Sequence, residues 1–580
     1  MRQATNVKSF RPVFCGLLAL SVVLIGSTVA SASSKVQVPE WVAQTAAAPT
    51  GNYSPRTNAV VLLDETTVHY NSPLEYVETR RVVTKILRPE GRDYGLLSVP
   101  LRGKEKVESL HGWAITASGT QFEVQQKEFI DHSTWGDELY SDSHNLSAKI
   151  SGAEVGSVVA LEYCILRHPF APTFDWLMQG QMPVKESRFT LEMPDGWEQK
   201  ASWTNMAAQT PANLGGNRWQ WTVRNLQAID DEEEYRPSNR AIAARASFSF
   251  VAAGYGDRLD TWKGIGAWSH QLSRDRHNPS PEITAKVQSL TAGLSGFDAV
   301  TSTLAAFVQS DVRYVAIEIG IGGWQPHYAD EIFRHRYGDC KDKATLLAAM
   351  LQAAGIRSAL VSVHHAHGAV HQNLPSLWSF DHEILAIELP EKSAQYRSIV
   401  KTSNGKRYLI FDPTSRYTPF GELSSDLQGN LALLELEGGG ELVRLPLHEP
   451  EHSQLVRTGK FTLQPDGSLS GDVEEHRTGT EAYDLRGSML SSTELDRTRA
   501  LEHMINHQQK GFALKQSKLE HLEDLSKDLL VQYSITADHY AQTSGPLLLV
   551  RPRVLGQKSL ALQWRTRKYP VDLSNSTRQT

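Results

Sequence analysis

The hydrophobic positions divide the chain into three stretches. From about residue 33 to 245, short alternating or β-branched runs recur, including Ala59–Leu63, Tyr76–Leu87, Ser157–Leu166 and Ser187–Met193. Alternation with period two puts the apolar side chains on one face of a strand. Pro89-Glu90-Gly91 and Pro194-Asp195-Gly196 supply turns between such runs, proline presetting φ and glycine accepting a positive one. The pattern predicts an antiparallel β-sandwich over 33–245. From 246 to 445 the period lengthens. Trp262–Ser273, Pro281–Leu294 and Ala299–Gln309 read as helices, the last with Asp298 as N-cap and Val300, Leu304, Phe307 and Val308 on one face. Tyr314–Ile321 reads as a strand and Ala329–Phe333 as a short helical turn. Over 446–580 alternation returns. Gly459–Leu463, a turn at Pro465-Asp466-Gly467 and Ser468–Glu474 form an expected hairpin. A helix over Thr493–Lys510 ends at Gly511, and strands follow at Leu529–Ile535, Pro546–Val550 and Leu560–Trp564. The polar tail Ser574–Thr580 is expected to be disordered.

One stretch carries chemistry. Arg336-Tyr337-Gly338-Asp339-Cys340-Lys341-Asp342-Lys343-Ala344 ends a polar loop and opens a helix of about four turns. Its apolar face is Ala344, Leu347, Leu351 and Ala354, and Gly355 stands where a helix commonly stops. Cys340 therefore lies at a helix N-terminus, where unpaired N–H groups favour a thiolate. Lys341 and Lys343 push the same way. A nucleophilic cysteine needs a base, and the base an orienter. Phe380-Asp381-His382-Glu383-Ile384 runs into an apolar strand with His382 at its start. Arg407–Phe411 is a second strand, with Asp412 at its end and Pro413 stopping the pairing. Helix, strand and adjacent strand can bring Cys340, His382 and Asp412 together.

Cysteine at a helix start, histidine at a strand start and aspartate at the next strand's end, in that order, resemble the transglutaminase-like branch of the papain-type cysteine enzymes. The string Gly338-Asp339-Cys340-Lys341-Asp342-Lys343-Ala344 resembles one bacterial subgroup, in which an exported β-rich domain of unknown function precedes the core. The resemblance implies a multidomain fold: an N-terminal β-sandwich, a central α+β transglutaminase-like (papain-like) core, and a C-terminal β-rich domain. It implies Cys340 as nucleophile, His382 as general base and acid, and Asp412 as the orienting carboxylate. The implied activity is attack on amide bonds of peptide or protein substrates through a thioester, with peptidase or amidase action favoured over cross-linking. The glutamine that papain-like proteases place shortly before the cysteine has no counterpart, since Arg334 stands there. Trp324 and Gln325 are the candidates for a second oxyanion donor or for the cleft wall.

The N-terminus adds a destination. Arg2, Lys8 and Arg11 precede an apolar run from Val13 to Ile25, and Ala30-Ser31-Ala32 follows. These are the parts of a secretory signal peptide over 1–32, cleaved after Ala32, and imply a periplasmic or secreted protein with no membrane span thereafter. Cys15 follows Phe14, so no lipid anchor is expected. Of three cysteines, cleavage leaves Cys164 and Cys340, too few for a disulfide scaffold. Cys164, in a strand-like run, reads as a core residue, and a bridge to Cys340 is not expected. A hydrophobic content of 40% supports real cores, and the 580 residues allow about three or four domains. Net charge is −6 with no basic stripe, which argues against nucleic-acid binding.

Other features are read more plainly. Asp230-Asp231-Glu232-Glu233-Glu234 lacks the alternating ligands of a calcium loop and reads as a solvated junction. His364, His365, His367 and His371 invite a metal-dependent reading, but no recognisable zinc spacing accompanies them. They read as a polar loop near the cleft, with Trp378 and Phe380 shaping its wall and Thr414 capping the turn after Asp412. No cofactor or metal is expected. The alternative to an enzyme is a catalytically inactive binding or scaffold protein of the cell envelope, with partners docking on the β-rich domains.

Overall fold

The computed structural model describes residues 37–133, 139–229, 234–251, 258–393, 395–508, 511–556, 566–573 and 577–580. The expected signal peptide, Asp230–Glu233 of the acidic run, the run Leu560–Trp564 and residues 574–576 of the tail lie outside them. No helix among the described residues is long and apolar enough to cross a membrane.

The longest hairpin pairs Ala59–Ser72 with Glu75–Ile86 and anchors an eight-stranded sheet. Beyond Glu75–Ile86 lie Val158–Arg167, Lys106–Ile115 and Gln121–Gln125. On the other side lie Val184–Glu192, Arg218–Leu226 and Ala212–Gly215. The expected all-antiparallel sandwich is corrected at one place, because Ala59–Ser72 and Val184–Glu192 run parallel. A long connection between these strands permits that direction. Two three-stranded sheets cover this one. Thr173–Leu177, Arg245–Val251 and Glu198–Thr204 pack through Trp176, Phe189, Trp221 and Phe248. Leu96–Arg102, Ser143–Lys149 and Ile130–Ser133 pack through Leu97, Val99, Leu110 and Ile165. Arg245–Val251 belongs to the first of these, so the β-rich region runs beyond the expected limit at 245.

The central region sets helices against a six-stranded antiparallel sheet. Its order is Ile399–Lys401, Arg407–Phe411, His382–Glu388, Ser358–Val363, Leu431–Leu436 and Gly439–Arg444. The helix Cys340–Ala353 is buried on every side, with Leu346, Leu347, Met350 and Leu351 sealed from solvent. A helix apolar all round belongs inside a core. It packs on Leu360, Leu385, Leu409 and Phe411 of the sheet and on Leu304 and Val308 of the helix Phe297–Asp311. That helix starts two residues earlier than its sequence suggests. Gly296, at φ 87°, is its N-cap in place of Asp298. The expected strand Tyr314–Ile321 is broken into Arg313–Tyr314, Ala316–Glu318 and a 3-10 turn at Gly320–Gly323.

The C-terminal region is a five-stranded sheet built around the expected hairpin, Gln454–Leu463 with Leu469–Arg477. Two helices cover it, Glu494–Gln508, as expected, and Gly479–Leu490, which the sequence reading missed. The chain end differs from the expected disorder, since Arg578–Gln579 pairs with Gln454–Leu455. Backbone pairing fixes the N-terminal region to the core: Leu139–Ser141 runs parallel to Ala316–Glu318. Asp142 Oδ2 accepts the Gly320 N–H at 2.9 Å, and Arg245 donates to the Ala369 carbonyl at 2.6 Å.

Candidate active site

The site begins with the cap of the helix Cys340–Ala353. Asp339 is the N-cap, its carboxylate accepting the Asp342 N–H at 3.2 Å. Asp342 Oδ2 returns the favour to the Asp339 N–H at 3.3 Å. This reciprocal pair fixes the first turn. Gly338 is required beside it, because a Cβ there would meet Asp342 Cβ at 2.5 Å. Lys341 is buried and ion-pairs with Asp339. His327 donates its N–H to Asp342 Oδ1 at 2.8 Å. Burial works against the Asp342 carboxylate, but His327 and Lys341 outweigh it and hold its pKa down.

Cys340 is the first residue of the helix and is half-buried. Its N–H has no carbonyl in a preceding turn to bond, so it points to whatever occupies the cleft. His382 opens the strand His382–Glu388, which lies beside Arg407–Phe411 in the sheet. Asp412 follows that second strand directly. Its Oδ2 lies 3.0 Å from His382 Nε2, which leaves Nδ1 free of this bond; His382 and Cys340 line the same cleft. Thr414 locks the carboxylate, its N–H and hydroxyl both donating to Asp412 Oδ1, at 2.8 and 2.7 Å. Burial disfavours the imidazolium, yet Asp412 and then Cys340 more than reverse this, and His382 titrates well above an ordinary histidine. Burial likewise opposes the Asp412 charge, but His382 and Thr414 hold its pKa below the usual carboxylate value.

The three residues singled out in the sequence are thus brought together. Their helpers are partly different. Lys343 turns away from Cys340 and donates to the Val312 carbonyl at 2.7 Å, burial lowering it to about 8. Gln325 is tied to a neighbouring helix, its amide Nε2 donating to the Leu272 carbonyl at 2.9 Å. Trp324 does line the cleft, set edge-on to Trp268 and Trp378. A residue the sequence reading passed over is closer. Tyr314 pairs with Gly338 across two short parallel strands, which sets its phenol within electrostatic reach of Cys340. Burial and then the Cys340 charge push this phenol above its ordinary range, so it stays a donor.

The histidine loop serves the same corner. The ring of His365 packs 4.4 Å from that of His382 and is held by Asp381 at 3.2 Å. His364 Nδ1 accepts the Ala366 N–H, and His367 meets Asp572 at 3.0 Å. Among the described residues no group of three or more His, Cys, Asp or Glu is arranged to hold a metal ion. Cys164 lies far along the sheet, half-buried instead of in the core, its thiol 3.6 Å from Glu108; both thiols are free.

Cys340 and His382 open into a cleft of about 920 Å³. Trp378 and Phe380 form part of its wall, as expected, and Ile265 and Trp268 another part. The N-terminal region supplies a further wall through Leu101, Arg102, Lys104 and Phe170.

Comparison with known proteins agrees with this architecture. Residues 284–381 match the model of the transglutaminase-like superfamily, a span that holds Cys340 and stops one residue short of His382. Residues 73–230 match DUF3857, a domain of unknown function with a solved structure. The chain carries a DUF3857 domain followed by a transglutaminase-like core. Among solved structures, a "putative protease" from Parabacteroides distasonis is 14% identical with a TM-score of 0.53. The match covers 83% of this chain and 93% of that one, and shows a shared fold. A "putative cysteine protease" from Cytophaga hutchinsonii is 10% identical over 59% of this chain and 78% of its own, at a TM-score of 0.16. No curated protein matches the sequence.

Proposed function

We propose that the protein is an exported thiol enzyme that cleaves amide bonds in peptide or protein substrates. The observation that carries this reading is that Cys340 and His382 line one cleft, with Asp412 3.0 Å from His382. His382 takes the proton of Cys340, and the thiolate attacks the amide carbonyl. The tetrahedral oxyanion finds the Cys340 N–H and, in our reading, the Tyr314 hydroxyl in place of a glutamine side chain. Collapse expels the amine with the proton from His382 and leaves a thioester on Cys340. Water, deprotonated by His382, releases the acid and restores the thiol. An amine in place of water would cross-link. We favour hydrolysis, supported by the protease description of the Parabacteroides relative. Export rests on the charged, apolar and small-residue order of residues 1–32.

The test is amine release from a panel of peptide amides, with and without added primary amines. Turnover by wild type that vanishes in Cys340→Ala supports the reading. Equal rates in the two proteins would remove it.

A further inference from the structure

The wall that the DUF3857 region lends to the cleft bears two cations with no ion-pair partner among the described residues, Arg102 and Lys104. Arg102 ends the strand Leu96–Arg102, and its guanidinium carbon lies 5.3 Å from the ring centroid of Trp378. Trp378 stands four residues before His382, and Arg102, Trp378 and His382 line the same cleft. A guanidinium stacked by its face on an indole keeps its N–H edge free, the edge that fits a carboxylate. Lys104 follows in the next turn and is exposed. A third cation of this wall, Arg167, is instead held at 2.9 Å by Glu78 and at 2.5 Å by Glu105.

The cleft carries carboxylates as well. Asp381 meets His364 and His365, Asp142 accepts the Gly320 N–H, and Glu318 stands on the core side. Burial raises Glu383 and Glu435 towards their neutral forms. Among the described residues none of these carboxylates is ion-paired with Arg102 or Lys104.

We propose that the DUF3857 region selects the substrate, and that Arg102 and Lys104 receive a carboxylate of an acidic acyl-donor peptide. The proposal rests on Cys340 being the nucleophile. The two walls are joined by backbone pairing between Leu139–Ser141 and Ala316–Glu318, so the cations keep a fixed place relative to Cys340. Acidic peptides would then be bound and steered in the same step.

The experiment compares alkylation of Cys340 by anionic iodoacetate and neutral iodoacetamide, with Cys164 as internal reference. At about pH 8.5, where an ordinary thiol reacts, and at low salt, the iodoacetate-to-iodoacetamide ratio at Cys340 falls about threefold in Arg102→Ala/Lys104→Ala. Lys104→Glu, which also shifts the charge by two at an exposed side chain, lowers it by a similar factor. About 0.5 M salt erases the difference, and the ratio at Cys164 does not move. An unchanged ratio in both variants overturns the proposal. The nucleophile reading fails separately, if Cys340 reacts no faster than Cys164 at about pH 6, and the ratio at the higher pH still reads the wall.

Discussion

Asp412 Oδ2 lies 3.0 Å from His382 Nε2, and both side chains are nearly closed to water, at 8% and 5% exposure. A buried carboxylate at that distance sets the tautomer of the ring and favours its protonated form. Neighbouring strands impose the contact: Phe411, just before Asp412, pairs with Leu385 of the strand that His382 opens.

Asp412→Asn keeps the shape and removes the charge. The account expects amide turnover to fall by roughly a hundredfold or more, with the fold intact by circular dichroism. Turnover within a few-fold of wild type would contradict it. Stability should follow the two pKa shifts. The raised pKa of His382 gives stability that is full below about pH 6.5 and lost as pH climbs through the folded value. The lowered pKa of Asp412 gives stability present above about pH 3.9 and lost as pH falls through its folded value. The difference in Tm between wild type and Asp412→Asn is therefore widest between about pH 4 and 6.5. Thermal melts across pH check this, and a gap that does not vary with pH opposes it.

Tyr314→Phe removes one hydroxyl and leaves the ring. With Tyr314 as an oxyanion donor, kcat falls by roughly ten- to a thousandfold while KM changes little. Steady-state kinetics on a peptide amide decide the matter. An unchanged kcat leaves Tyr314 as packing beside the thiol.

Glu435 is almost fully buried beside Ser362, whose hydroxyl donates to it at 2.6 Å. Burial raises its pKa to about 7. A carboxyl raised in the folded state costs nothing below its unfolded value, about 4.3, and its penalty grows until the folded value is passed. Glu435→Gln should then stabilise the protein at pH 8 by on the order of 3 kcal/mol and have little effect at pH 4. Equal Tm shifts at both pH values would show that the side chain is not held neutral.

Gly266 lies in the helix Trp262–Ser273, one side of the cleft, where it crosses the strand Gly439–Arg444. A Cβ at 266 would come within 2.2 Å of Gly440 Cα and 2.7 Å of Gly440 N. Alanine favours helix over glycine by about 1 kcal/mol, but backbone cannot step aside as a side chain can. Gly266→Ala is expected to destabilise by about 1–3 kcal/mol, read from denaturant midpoints. A neutral or stabilising result would mean that the helix and strand are less closely packed.

Cys340, His382 and Asp412 were legible as one group because each sits at the end of a strongly patterned element. A capped helix fixes Cys340, and two apolar strands fix His382 and Asp412. Tyr314 escaped because it lies in a two-residue strand, where periodicity has nothing to work on, and its place depends on pairing with Gly338. Gln325 looked free because its acceptor, the Leu272 carbonyl, belongs to another helix. The limit at 245 was drawn where the alternating pattern faded, yet Arg245–Val251 is a central strand buried on both faces, and such strands do not alternate. The wall from the N-terminal region was invisible for a different reason. It arises from docking between distant segments, Leu139–Ser141 on Ala316–Glu318, and local pattern carries no trace of that.

The central claim is that Cys340 is the nucleophile and His382 its base. The most direct measurement is iodoacetamide labelling across pH, with the labelled site assigned by mass spectrometry, on wild type and His382→Ala. The account predicts that Cys340 reacts far faster than Cys164 at about pH 6, and that the variant loses this advantage. A Cys340 that titrates like an ordinary thiol, near about pH 8.5 in both proteins, would contradict it and favour a binding protein built on an enzyme's fold.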